Sequence, residues 1–276
     1  VPEPRWTVVI PYFNEGLWLP ATLRSLSEQS LRPFRLILVN NASTDDGPAL
    51  AAQWASEQSG IEVLLLSEAR PGTVAAREAA TPHITTEFVA FADADTLYPP
   101  QYLEQADRLF RIFGPEVVGL MAHSTNCLPP GPLKQLRHLL YDKVISRLLT
   151  YQVHNGGFAQ LFRSQAYLAS GGYQVSSWSF VLDDHELANR IWGRGRIAMP
   201  HQLWLKTSLR RTDRSAVNWT LFERILYHVT LPSQKDWFFY RFLKPRFIAR
   251  GQSDILLRHQ SWSAPAAARD PRAINR

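Results

Sequence analysis

Apolar and polar positions in the first half of the chain follow two alternating rhythms. Short runs that are apolar at nearly every position recur: WTVVIP (6–11), RLILVN (35–40), EVLLLS (62–67), EFVAFAD (87–93) and VVGLMA (117–122). Runs this short, apolar on both faces and rich in β-branched residues, predict parallel strands covered by helices. The stretches between them carry helical spacing. Leu19, Leu23 and Leu26 share one face, a second helix is predicted over 46–58, and a third in the Ala-rich GTVAAREAA (72–80). A fourth, PQYLEQADRLFRIF (100–113), follows a Pro-Pro pair and repeats its apolar positions every three to four residues. This alternation predicts an α/β fold with a doubly wound, mostly parallel sheet.

The second half is less regular. PLKQLRHLLYDKVISRLLT (132–150) reads as a helix, and GGFAQLFRSQAYLASGGY (156–173) as a strand and a short helix between Gly-Gly pairs. DDHELANRIWGRG (183–195) reads as a helix with acids in its first turn and Gly at its end. Residues 215–262 are aromatic and basic, with two or three helices expected, and the Ala/Pro/Arg-rich end from about Ala264 is expected to be loose.

The 276 residues suffice for one large α/β domain, or a domain and a tail. A single cysteine, Cys127, allows no intramolecular disulfide, which fits a reducing compartment, and it reads as a buried structural thiol. No run of eighteen apolar residues predicts a membrane span, and no signal-peptide pattern opens the chain, although the initial Val fits a trimmed start. The net charge of +6 is uneven: residues 1–204 hold 16 basic and 19 acidic side chains, residues 205–276 hold 14 and 5. The basic last quarter suggests an anionic partner or a solvated tail.

In open α/β sheets ligands bind beyond the carboxyl ends of the strands. Three predicted strands end in polar clusters, PYFNEG, NNASTDDG and DADT, which such a sheet would bring to one edge. Asp93 and Asp95 stand at i and i+2, on one side of an extended segment, where two carboxylates suit a hard cation, Mg²⁺ or Mn²⁺, carrying a diphosphate. The competing reading is a loop of solvated or capping aspartates.

VVIPYFNEGLWLPATLRSL, ILVNNASTDDG, RPGTVAAREAA and FVAFADADT resemble the nucleotide-binding half of family 2 glycosyltransferases with the GT-A fold. LFRSQAYLASGGY followed by LDDHELANRIWGRG resembles their acceptor half, so the likeness runs in order from about 6 to about 211. It implies a donor half over 1–122, an acceptor and catalytic half over 123–211, and a basic, aromatic, helical extension over 212–276. It also implies donor-binding roles for Pro11, Tyr12, Asn14, Glu15, Asn41, Gly72, Arg77, Asp93, Ala94 and Asp95. Asn40 and Asn41 stand where the family usually carries Asp, and the Asn41 amide suits a uracil imide or another base edge equally. Ser43, Thr44 and Asp45 read as caps of the helix at 46–58.

The resemblance makes Asp184 the general base of an inverting transfer, with Asp183 beside it in the place of the family's Glu, whereas composition alone suggests two N-cap aspartates. His185 departs from the usual apolar residue there. Gly156, Gly157, Arg210 and Arg211 are implied on the acceptor or phosphate side, and His201 as a further metal ligand beside Asp93 and Asp95. The Gln-x-x-Arg-Trp of processive synthases is absent, so single-sugar transfer is expected.

The expected partners are a nucleoside-diphosphate sugar, UDP-sugars first, and a glycan or lipid-linked hydroxyl acceptor. DWFFYRFLKPRFIAR (236–250) has the composition of an interfacial membrane helix, or of a core-packing helix or dimer contact. A cytoplasmic location is expected, and on the first reading a peripheral one at the inner face of the cell membrane. No nucleic-acid module is seen. No G-x-G-x-x-G supports a dinucleotide oxidoreductase, and no Gly-rich Arg loop follows strand one as a pyrophosphorylase would require. A non-catalytic nucleotide- or glycan-binding relative is the alternative from another class.

Overall fold

The computed structural model describes residues 3–125, 131–140, 156–208 and 219–259. Cys127, Arg210, Arg211, the second half of the 132–150 helix and the end of the chain lie outside the described residues.

The main sheet has seven strands. They are β1 (Trp6–Tyr12), β2 (Phe34–Asn40), β3 (Ile61–Ser67), β4 (Phe88–Phe91), β6 (Val117–Met121), β8 (Gln160–Arg163) and β9 (Arg196–Ala198), in the order β3-β2-β1-β4-β8-β6-β9. The first four are parallel, as are β6 and β9, but β8 runs antiparallel to both β4 and β6. A smaller sheet, β5-β10-β7, joins Thr96–Leu97, Trp204–Thr207 and His123–Thr125. Its strands of two to four residues carry no periodic signal of their own.

Helices cover both faces. On one side α1 (Leu19–Ser27), α2 (Gly47–Ser56) and α4 (Tyr102–Phe113) bury Leu19, Leu23, Ala51, Leu103 and Phe110 against Val8, Ile10 and Leu36. On the other, α3 (Thr73–Ala80) and the helices Ser164–Ala169 and Asp183–Trp192 pack against Val9, Ile37 and Phe91. Trp6, Phe88 and Phe110 stack in series with centroids 4.8 and 4.7 Å apart, each pair adding about 0.5–1.5 kcal/mol beyond the area it buries. β3 departs from the expected two-sided burial: it is the sheet edge, Ile61 alone is fully buried, and Leu65 is exposed.

The C-terminal quarter forms a second aromatic core. Phe238, Phe239, Leu243 and Phe247 are buried and, with Phe242, pack with Trp178 and Tyr227. Residues 236–250 therefore turn their main apolar side into the protein, and the core-packing reading of that segment holds in place of the interfacial one. The exposed apolar face lies next to it, on the helix Leu221–Val229, where Leu221, Phe222, Ile225 and Val229 face outward beside Trp237. Among the described residues no helix is long and apolar enough to cross a membrane.

Candidate active site

The chain enters the sheet at β1, moves outward through β2 and β3, then returns to place β4 on the other flank. The crevice at the carboxyl ends of β1 and β4 is the switch point where open α/β sheets bind ligands. Pro11 and Tyr12 close β1, with Asn14 and Glu15 in the loop beyond it, and Asp93, Ala94 and Asp95 follow β4. Burial, aided by the charge of Asp45, pushes the Tyr12 phenol up to about 12, so it stays neutral.

Arg77 on α3 organises the crevice. It is buried, and donates to Asp183 at 2.9 Å, to Asp93 at 3.2 Å and to the Tyr173 hydroxyl at 3.2 Å. Burial works against its charge, but Tyr173, Asp183, Asp93 and Asp184 outweigh that and hold the guanidinium above its ordinary value. A Cβ on Gly157 would lie 2.3 Å from Arg77 Nη2, so this glycine leaves room for the cation. Gly156 adjoins it as the N-cap of the turn Gly157–Ala159.

Asp183 and Asp184 are the first two residues of their helix and not its cap. The N-cap is Leu182, at a φ of 68°, a left-handed conformation that strains a side chain of this kind by about 1–3 kcal/mol. The neighbouring chain is pinned by Trp178 Nε1, which donates to the Val181 carbonyl at 3.0 Å. Enclosure raises the Asp183 carboxyl, Arg77 opposes that rise, and the Asp184 charge adds to it, leaving it at about 7. Asp184 Oδ1 lies 2.7 Å from His185 Nδ1 and accepts from the His185 backbone N–H at 2.9 Å. His185 thus contacts the Asp184 carboxylate and packs edge-on to Tyr227.

The Asp93–Asp95 segment is a turn and not an extension of β4. The two carboxylates reach different partners: Asp93 meets Arg77, while Asp95 Oδ2 accepts from the Ser208 hydroxyl at 2.7 Å. Ser208 follows β10, and His201 precedes it. Among the described residues no three His, Cys, Asp or Glu side chains gather as a metal site. The donor set at the turn, two carboxylates and a hydroxyl, is nevertheless all hard oxygen, the chemistry Mg²⁺ or Mn²⁺ takes when substrate phosphates complete the shell.

The polar cluster after β2 mostly binds protein. Asn40 Oδ1 accepts from Ser43 N, Ser43 Oγ from Asn14 N, and Asn14 Oδ1 from Thr44 N. Ser43 and Thr44 thus tie the two loops together instead of capping α2. Asp45 does both, accepting from Gly47 N in the first turn and from Gly16 N. Asn41 is buried; its amide donates to the carbonyls of Glu68 and Arg70, and its Oδ1 accepts from Gly72 N and from Arg258. Phe13, Tyr173, Ser208, Asp254 and Arg258 join the site without having been singled out as site residues; Phe13, Tyr173 and Ser208 lie inside the family-like segments PYFNEG, LFRSQAYLASGGY and KTSLRR, whereas Asp254 and Arg258 carry no local signal.

Residues 7–168 match the profile of Glycosyl transferase family 2. An uncharacterized glycosyltransferase of Escherichia coli K12, YibD, is 33% identical over 99 residues, 36% of this chain and 28% of its own length. The amylovoran biosynthesis glycosyltransferase AmsB of Erwinia amylovora is 35% identical over 102 residues, 36% of this chain and 34% of its own. The matches therefore span about a third of these relatives. Among solved structures, the mannosyltransferase PcManGT of Pyrobaculum calidifontis, in complex with GDP-Man and Mn²⁺, superposes with a TM-score of 0.63 at 21% identity, covering 98% of this chain and 74% of that one. TarS 1–349 of S. aureus with UDP-GlcNAc gives 0.59 at 16% identity, covering 88% and 73%. These likenesses show a shared fold.

Proposed function

The chain belongs to glycosyl transferase family 2, with the GT-A fold, and from that premise we propose that it transfers one sugar, with inversion, from a nucleoside-diphosphate sugar to a hydroxyl acceptor. UDP-sugars are the first donors to test and GDP-sugars the second, since the superposed structures carry GDP-Man and UDP-GlcNAc. The acceptor is a glycan or lipid-linked hydroxyl, a precursor of a bacterial surface glycan.

One observation carries this reading: Arg77 joins Asp93, beside the donor crevice, to Asp183, beside Asp184 on the acceptor side. Two carboxylate groups with different tasks are thereby held at one cation. Asp184 takes the proton from the acceptor hydroxyl, and the resulting oxygen attacks the anomeric carbon as the bond to the diphosphate breaks. Arg77 keeps Asp183 and Asp93 in register, and its positive charge favours the diphosphate. Asp93 and Asp95 would hold Mg²⁺ or Mn²⁺, which when bound supplies charge to the leaving diphosphate.

The exposed apolar helix face at Leu221–Val229, beside exposed Arg224, Arg241 and Arg246, supports a peripheral place at an anionic membrane, where a lipid-linked acceptor would be met. On this reading the protein works at the cytoplasmic face.

A thermal-shift panel of UDP, GDP, ADP and CDP with Mn²⁺ tests the donor. One nucleotide at a hundredfold its Kd should stabilise the fold by about 2.7 kcal/mol, a shift of several degrees. No shift with any nucleotide would overturn the reading.

A further inference from the structure

The end of the described chain folds back onto the donor crevice. Arg258 Nη1 donates to Asn41 Oδ1 at 2.8 Å and Nη2 to the Asn41 carbonyl at 2.7 Å, while the guanidinium lies 3.7 Å from the centre of the Phe13 ring. Phe13 and Asn41 are the residues just beyond the ends of β1 and β2. Four residues earlier, Asp254 is buried and its Oδ2 accepts from Val74 N at 3.3 Å, in the first turn of α3. Gly72, at a φ of 120°, makes room for it: a Cβ there would lie 2.5 Å from Asp254 Oδ2. The segment is anchored upstream by Asp254 N, which donates to the Ser179 carbonyl at 3.2 Å.

These contacts reproduce the recognition chemistry of a nucleotide. A planar π-bearing group lies over an aromatic ring and bonds the amide just beyond β2. An anionic group sits on the N-terminal N–H of a helix, where phosphates are favoured. Two such matches come from one segment of five residues, 254–258, at the one edge of the sheet where ligand is expected.

We propose that residues 252–259 form an intrasteric strap, with Arg258 and Asp254 filling the places of the donor's base and phosphate, so that the donor must displace the strap to bind. This rests on the donor reading above. It explains why Asn41 is saturated by protein partners: its contact with Arg258 is the one the donor replaces.

The test titrates UDP and GDP, each with Mn²⁺, into the full-length wild type, Arg258→Ala and Asp254→Asn by calorimetry. A second measurement follows tryptic cleavage after Arg258 in the wild type with and without the bound nucleotide. The strap predicts at least about fivefold tighter nucleotide binding by Arg258→Ala, tighter binding by Asp254→Asn, and faster cleavage after Arg258 when nucleotide is present. Weaker binding by Arg258→Ala, or protection of Arg258 by nucleotide, would make Arg258 a wall of the pocket and overturn the strap. Equal affinities would overturn the strap and leave the donor reading standing. No binding by any of the three proteins would overturn both.

Discussion

Arg77 donates to Asp183 at 2.9 Å across 106 residues of chain. The pair crosses from the helix after β3 to the first turn of the helix Asp183–Trp192, and so joins two parts of the sequence with separate motifs. Arg77 is buried and Asp183 partly so, and removing the carboxylate leaves an enclosed cation short of a counter-charge, which is costly.

Gly157→Ala should disturb this pair without altering either partner. The added methyl would sit 2.3 Å from Arg77 Nη2, so the guanidinium must move. Overpacking of this kind costs about 1–3 kcal/mol. Urea denaturation should register that loss, and transfer should fall more than donor binding does. An unchanged activity would show that the position of Arg77 is not critical.

Asp184→Asn should lower transfer by about 10²–10⁴-fold, the range of a lost general base. Donor affinity, measured calorimetrically, should stay near that of the wild type. Full activity in this variant would assign the base elsewhere.

Asp95→Ala should abolish the Mn²⁺-dependent part of nucleotide binding while leaving any metal-independent part. The Ser208 hydroxyl loses its 2.7 Å acceptor at the same time, so Asp95→Asn serves as the control that keeps an acceptor there. Nucleotide titrations with and without chelator distinguish the two contributions.

The pH profile should carry the mark of Asp183. Its carboxyl is raised to about 7 by enclosure, against Arg77 and with Asp184. Above that pH it is ionised and paired with Arg77; as pH falls through about 7 it takes up a proton and the ion pair is lost. Transfer should therefore decline on the acid side near pH 7, well above the ~4 of an ordinary carboxylate. Asp183→Asn should erase that limb; its persistence in the variant would sink the assignment.

The exposed helix face should respond differently from the core beneath it. Leu221→Glu with Ile225→Glu should remove co-sedimentation with anionic vesicles at low salt and leave the thermal midpoint nearly unchanged. Phe238→Ala, in the aromatic core, should instead cost about 3–5 kcal/mol of stability. Wild-type protein that ignores the vesicles would remove the membrane contact from the proposal.

What the sequence made legible was local. β1, β2 and β4 announce themselves because both their faces are covered, and the acidic pairs at 93/95 and 183/184 stand at element boundaries that the apolar pattern marks. Arg77 is legible only through the family likeness, since nothing in an Ala-rich helix says that its cation is buried. The reversed direction of β8 is invisible in four residues, because period-two patterning is the same in either orientation. Arg258 lies 217 residues from Asn41; no spacing rule reaches that far. The membrane reading of 236–250 missed because aromatic and basic residues suit a lipid interface and a protein core equally until burial is known.

The reversed β8 also bears on how such a protein can be re-engineered. The strand falls in the proposed acceptor half, yet it is hydrogen-bonded on one side to β4 of the proposed donor half and on the other to β6. The two halves therefore share one backbone ladder and are not exchangeable cassettes. A chimera that grafts another relative's acceptor half must bring a strand that fits between these two neighbours in register.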